Sequence, residues 1–219
     1  YACYVVATRN GLTPVWQIPG VDKLRAVDLL WALGAGVVGA LLAVAFTFAV
    51  LGLRRVFARI SPMARPVVGG VVLATLGLWS TYALTFGEAQ TGHVLLVGSG
   101  ISAGVLATAI VAKLLGTSVT VASGFPGGFI IPLFFMGAAF GQLTHHAFSN
   151  ASVGVMCAAF MAATNVGVTK TLLGSTLCVT EMGGFRLLPT TLLAATVALM
   201  LTSTVGLIET QRERTPMDE

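Results

Sequence analysis

Charge is what this sequence has least of. Only 9% of its 219 residues are charged, 12 Lys or Arg against 8 Asp or Glu, for a net charge of +4. So few charges leave no basic face along which a nucleic-acid backbone could lie, and nucleic acid is not expected as a partner. Cysteine is also scarce. Cys3, Cys157 and Cys178 are widely spaced and two lie in apolar tracts, which reads as packing rather than a disulfide framework or a metal set. No secretory signal is visible. No nucleophile stands at a useful spacing from a base, and His145 and His146, being adjacent, point to different sides of a helix. The expectation is therefore neither an enzyme nor a holder of a resident metal or cofactor. The chain opens on Tyr1 rather than Met, already in apolar sequence, as a piece of a larger membrane protein would.

Apolar residues are what it has in plenty: 56% are hydrophobic and the mean hydropathy is +0.91. That composition excludes an ordinary soluble domain and predicts an all-α polytopic membrane protein with the lipid bilayer as a partner. Uncharged or nearly uncharged runs at 29–53, 67–86, 95–115 and 187–208 read as spans. Gly34, Gly36 and Gly39 in the first allow close helix contact. Arg54, Arg55, Arg59 and Arg65 form a basic loop closed by Pro62 and Pro66, and Glu88 falls at a helix end. Gly98 to Gly104, inside the third span, reads as small-residue packing with Gly100 and Gly104 four apart; Lys113 is that span's one charge. Residues 153–164 and 172–180 are too short to span upright and read as a helical hairpin. Glu181 reads as a solvated or paired carboxylate beside Arg186, and 209–219 is a polar tail.

The stretch around which the rest is organised is Ser123-Gly-Phe-Pro-Gly-Gly-Phe-Ile-Ile-Pro132. It lies within a charge-free tract running from 114 to 169, far longer than the roughly 20 residues of one membrane helix. Something must break that tract, and Gly124, Pro126, Gly127 and Gly128 are suited to do so. Residues 129–140 then read as an apolar helix with Pro132 in its first turn, where a missing N–H costs least. The stretch is predicted to be a helix start held at membrane depth, with the N–H groups of Gly128, Phe129 and Ile130 unpaired. Donors and dipole together make such a terminus an anion site.

This stretch resembles the second selectivity motif of the CLC family of chloride channels and chloride/proton exchangers, roughly Ser-Gly-x-Pro-Gly-Gly-x-Phe-x-Pro, with the aromatic one place early at Phe129. Gly137 and Gly141 follow as the family's glycines do. Glu181-Met-Gly-Gly-Phe-Arg-Leu-Leu-Pro189 is similar to the family's Glu-Met-Thr-Gly-Gly-Tyr-x-Leu-Leu-Pro, one residue shorter and with Phe185 where the family has a tyrosine. The resemblance implies the second inverted repeat of a CLC-type fold with broken and half-spanning helices. On that footing 1–208 is the C-terminal half of a CLC-type transmembrane domain and 209–219 the tail. It implies chloride or another small anion as substrate, bound through Gly128, Phe129, Ile130 and Phe185, with Ser123, Gly124, Pro126, Gly127 and Pro132 as the scaffold of the motif. Phe185 lacks the hydroxyl that the tyrosine brings to the anion. The gating glutamate and first-motif serine would come from the missing N-terminal half. The protein would be a homodimer in a bacterial inner or plasma membrane, with 29–53 and the pair 153–180 towards the partner. The alternative is a non-transporting membrane scaffold that only packs against another chain. Positive charge in the loop 54–65 argues for the cytoplasmic side, whereas the resemblance puts that loop outside.

Overall fold

The computed structural model describes residues 16–21, 23–125 and 127–207, which form eight α-helices and no strand. The helices are α1 (Ala26–Phe57), α2 (Arg65–Trp79), α3 (Glu88–Val97), α4 (Ala103–Ser123), α5 (Ile130–Ala147), α6 (Val153–Thr169), α7 (Leu172–Gly183) and α8 (Leu188–Leu201). The opening apolar residues, Cys3, Pro126 and the polar tail lie outside the described residues. Two helices, α1 and α4, are long and apolar enough to cross a membrane alone; the other six have 10 to 18 residues.

The helix α6 is the hub. From Gly154 to Thr169 every residue is buried, against α1, α5, α7 and α8. Lipid is as apolar as leucine, so helices in a membrane associate through close packing at small residues rather than by escaping water. The sequence supplies such residues on α6 and on what faces it. A Cβ on Gly137 would stand 2.5 Å from Met161 Cα, and one on Gly141 2.5 Å from Cys157 Cα, so α5 and α6 touch backbone to backbone and run antiparallel. Gly39 of α1 meets Ala163, Gly36 meets the Ala194 carbonyl, and Gly167 meets Ala43. Aromatic rings fill the remaining gaps, with Phe140 and Phe160 at 5.4 Å between centroids.

Four expectations are corrected. First, α1 continues through Arg54 and Arg55, because arginine is a good helix former and its charge suits the negative end of the helix. At about 1.5 Å per residue its 32 residues exceed the roughly 30 Å apolar core. Second, the span 67–86 ends at Trp79. Ser80 is extended, and Thr85 and Gly87 adopt left-handed backbone at φ 61° and 94°, so Glu88 begins a new helix. Third, the span 95–115 is broken by a 3₁₀ turn at Gly98–Gly100, after which Ser102 caps α4 by accepting from the Val105 N–H. Nothing lies within 4 Å of a Cβ on Gly100 or Gly104, so they are not packing glycines. Fourth, α6 is enclosed by its own chain and cannot face a partner.

Gly141→Leu is expected to abolish the α5–α6 contact. In detergent the variant should show either no folded material or a thermal midpoint lower by roughly 6–12 °C, as about 3 kcal/mol of overpacking would give in a domain of this size. Gly34→Ala, where a Cβ meets nothing within 4 Å, should instead gain about 0.5 kcal/mol.

Candidate functional site

The break in the charge-free tract falls where the glycines are. Gly124 ends α4 in the left-handed region at φ 83°, and the N–H groups of Gly124 and Phe125 both turn back to the Thr120 carbonyl. Ser123 is buried, donates its hydroxyl to Thr120 O at 3.2 Å, and stands against Gly69 of α2. Gly127 and Gly128 are exposed. Phe129 then takes the N-cap position of α5 and its carbonyl receives the first helical hydrogen bond, from Leu133, at 3.0 Å. Pro132 is buried in that first turn and has no N–H to satisfy.

No side chain caps this helix. Among the described residues no acceptor stands against the N–H groups of Gly128, Phe129 or Ile130, and the same holds for Ile131. The Phe129 ring is drawn inward, 6.1 Å from that of Phe46, while Ile130 stays 49% exposed. The terminus is thus anchored on one side and open on the other.

Beside it lies a cavity of about 310 Å³. It is lined by Gly127, Gly128 and Pro132, by the loop Leu84-Thr85-Phe86 ahead of α3, and by Thr117 and Thr120 of α4. The loop is held from behind by Lys113, which is completely buried. Its ammonium donates to Leu84 O at 3.0 Å, Thr85 O at 3.1 Å and Gln90 Oε1 at 2.7 Å, and lies 5.1 Å from the centroid of the Phe135 ring. No carboxylate among the described residues is within ion-pair distance of it. Gly116 lets α4 approach this region, since a Cβ there would stand 2.5 Å from Ala83 O.

The structure brings Ser123, Gly124, Gly127, Gly128, Phe129, Ile130 and Pro132 into one break; Pro126 lies outside the described residues. It does not bring Phe185 there. Met161 faces Gly137 and Cys157 faces Gly141, so the end of α6 is level with Phe129. From that level α7 carries the chain away over 12 residues, roughly 18 Å of helix, to the 3₁₀ turn Phe185–Leu187. That turn packs on α6, α7 and α8, and Phe185 does not line the cavity. The residues that the sequence reading passed over are Lys113, Thr117 and the Leu84–Phe86 loop. One signal was available for Lys113, a lone ionisable residue within a span, which in a membrane marks a paired or functional position.

Apolar helices broken by short irregular segments, two of them long enough to cross a membrane, define the class as a polytopic helical membrane fold. Within that class the assignment is to a family: the model of the voltage gated chloride channel family matches residues 1–203, and the chain belongs to it. No curated protein sequence matches. Among solved structures, the chain resembles a CLC-type fluoride/proton antiporter at TM-score 0.80 and 21% identity, over 95% of this chain and 52% of that one. It also resembles a slow cyanobacterial Cl⁻/H⁺ antiporter at TM-score 0.74 and 18% identity, over 92% of this chain and 49% of that one. The fold is therefore the all-α CLC fold, and the chain spans about half the length of those structures. It is an integral membrane protein.

Lys113→Ala should cost about 3 kcal/mol, because the carbonyls of Leu84 and Thr85 and the Gln90 side chain lose a charged donor without access to water. Thermal unfolding of the purified protein measures this. A change within 0.5 kcal/mol would show that the Lys113 contacts hold nothing in place.

Proposed function

We propose that this chain is the second of two inverted repeats of an anion transporter, and that the start of α5 binds the anion in transit through the Phe129 and Ile130 N–H groups. The observation that carries the reading is the uncapped helix start, whose donors meet no acceptor among the described residues and whose outer residue, Ile130, is half exposed. A helix N-terminus presents roughly half a positive charge. Buried polar backbone is tolerated in a membrane only where protein or a water-filled cavity surrounds it. An anion satisfies both conditions at once, because it accepts from the donors and neutralises the dipole.

One helix start is half a site. A chloride stripped of water needs several donors, and the side of this terminus away from α4 and α6 supplies none. The opposing wall belongs to a preceding half of the protein, which would carry the gating carboxylate. The two antiporters of like fold move fluoride or chloride against protons, so a small monovalent anion is the substrate class proposed here. Phe185 takes no part in the site. Ser123, Gly124, Pro126, Gly127 and Pro132 shape the break. The protein would work as a homodimer in a bacterial inner or plasma membrane, each protomer with its own path. Exposed apolar side chains on α1, such as Leu30, Leu41 and Phe48, would meet lipid or the second subunit.

Gly128→Leu tests this in the complete protein carrying both halves. A Cβ at Gly128 meets nothing within 4 Å and the backbone there is not left-handed, so the variant should fold. Its side chain would stand across the open terminus. Chloride efflux from liposomes should fall to that of empty vesicles, with an unchanged gel-filtration profile. Wild-type flux from the variant would remove the helix start from the anion path, and a wild type without flux would favour the scaffold reading.

A further inference from the structure

The turn between α1 and α2 concentrates charge of one sign. Arg54, Arg55, Arg59 and Arg65 fall within 12 residues, and the sequence has no Asp or Glu from 29 to 87. The other end of α1 is mixed. Lys23 and Arg25 stand there with Asp28, and the end of α7, with Glu181 and Arg186, is brought alongside by the Ile18 N–H to Met182 O bond.

Arg65 closes the turn itself: its Nε donates to Ile60 O at 3.0 Å and its Nη2 to Ala58 O at 3.5 Å. Arg54, Arg55 and Arg59 are exposed, and among the described residues their side chains have no hydrogen-bond or ion-pair partner. Their backbone is nevertheless fixed. Phe57 is buried in a cluster with Val119 and Ala122 near the end of α4, and the Arg59 and Ile60 N–H groups return to Val56 O and Phe57 O. Three guanidinium groups are thus presented from a held turn, in the planar form that suits phosphate oxygens. Apolar side chains are exposed among them, Val56 at 55% and Met63 at 91%. Basic groups that reach phosphates beside apolar ones that reach acyl chains make an interfacial segment. The depth agrees. Asp28 and Arg54 are the charges that bracket the apolar part of α1, about 39 Å apart along the helix, which is the hydrocarbon core plus part of the headgroup zones.

We infer that this turn lies among the headgroups of the cytoplasmic leaflet and holds anionic phospholipid. The lipid phosphates accept from Arg54, Arg55 and Arg59, while Val56 and Met63 enter the acyl boundary. The side follows from the charge: unbalanced arginine next to a span is retained on the cytoplasmic face, and the anionic lipids of that leaflet attract it. This opposes the outward placement that the family resemblance implies for the loop. A free phosphate has the same acceptor oxygens but no chain for Val56 and Met63 to meet. The site does not depend on the anion path at the start of α5.

The test is titration of the complete protein, carrying both halves, in detergent with fluorescent dioleoylphosphatidylglycerol or dioleoylphosphatidylcholine. Wild type is compared with Arg54→Gln/Arg55→Gln/Arg59→Gln and with Arg54→Lys/Arg55→Lys/Arg59→Lys. At about fivefold per charge near the surface, the glutamine variant should bind phosphatidylglycerol on the order of a hundredfold more weakly. The lysine variant should stay within about tenfold of wild type, and phosphatidylcholine binding should not change. Should the triple glutamine variant not fold, Arg55→Gln alone should lose about fivefold. Glutamine variants that bind phosphatidylglycerol as wild type does would overturn the site, as would a wild type that does not distinguish the two lipids. Displacement of the lipid by millimolar inorganic phosphate would overturn the lipid assignment in favour of free phosphate. Ser61→Cys with a membrane-impermeant maleimide reads the side. It should react in inverted vesicles and not in right-side-out ones, and the reverse result would overturn the cytoplasmic placement.

Discussion

A chain interrupted at membrane depth must enclose its own exposed backbone, and most of this structure follows from that. At Gly127 and Gly128 the main chain makes no hydrogen bond among the described residues, and lipid offers none. The rest of the fold closes around that break. Buried along nearly its whole length, α6 gives α5 a wall it can touch backbone to backbone at Gly137 and Gly141. On the other flank α4 comes in at Gly116, and in the irregular Leu84–Gly87 loop that α4 supports the Leu84 and Thr85 carbonyls accept from Lys113. Among the described residues a short row of N–H groups at the start of α5 is left without an acceptor, at an exposed helix start beside a cavity.

Electrostatics agree with the packing. The described ion pair, Arg25 with Asp28 at 3.0 Å, belongs to the start of α1, where Arg25 also reaches Asn150 O beyond the end of α5. Near the break Lys113 is buried and stabilised by neutral acceptors and an aromatic face, with no carboxylate among the described residues within ion-pair distance. A carboxylate there would cancel the potential that the helix start provides. Neutral acceptors hold the ammonium in place and leave its field uncancelled.

The fold was legible to the extent that its breaks are written in unusual residues. The glycines at 124, 127 and 128 stand in a charge-free tract too long for one helix, and the structure breaks there. Of Gly34, Gly36 and Gly39, read together as contact residues, Gly36 and Gly39 are and Gly34 is not. Breaks written in ordinary residues were missed: Ser80 and Thr85 have no rarity to mark them, and the Gly98–Gly104 run admits both a packing stripe and a turn. Phe185 was placed by likeness of a short motif, whereas its position depends on how α7 packs, which no local pattern encodes. Lys113 read as an interruption because its partners are backbone carbonyls 28 and 29 residues away, invisible to any spacing rule.

The central claim is that the Phe129 and Ile130 N–H groups meet an anion. It is tested most directly by amide resonances of the complete protein in nanodiscs, labelled with nitrogen-15 at Phe and Ile, during a chloride titration. The account predicts that the Phe129 and Ile130 amide protons move downfield together and saturate at one chloride concentration, while Phe185 stays still. Phe129 and Ile130 resonances that hold their positions in a protein that still transports chloride would contradict it.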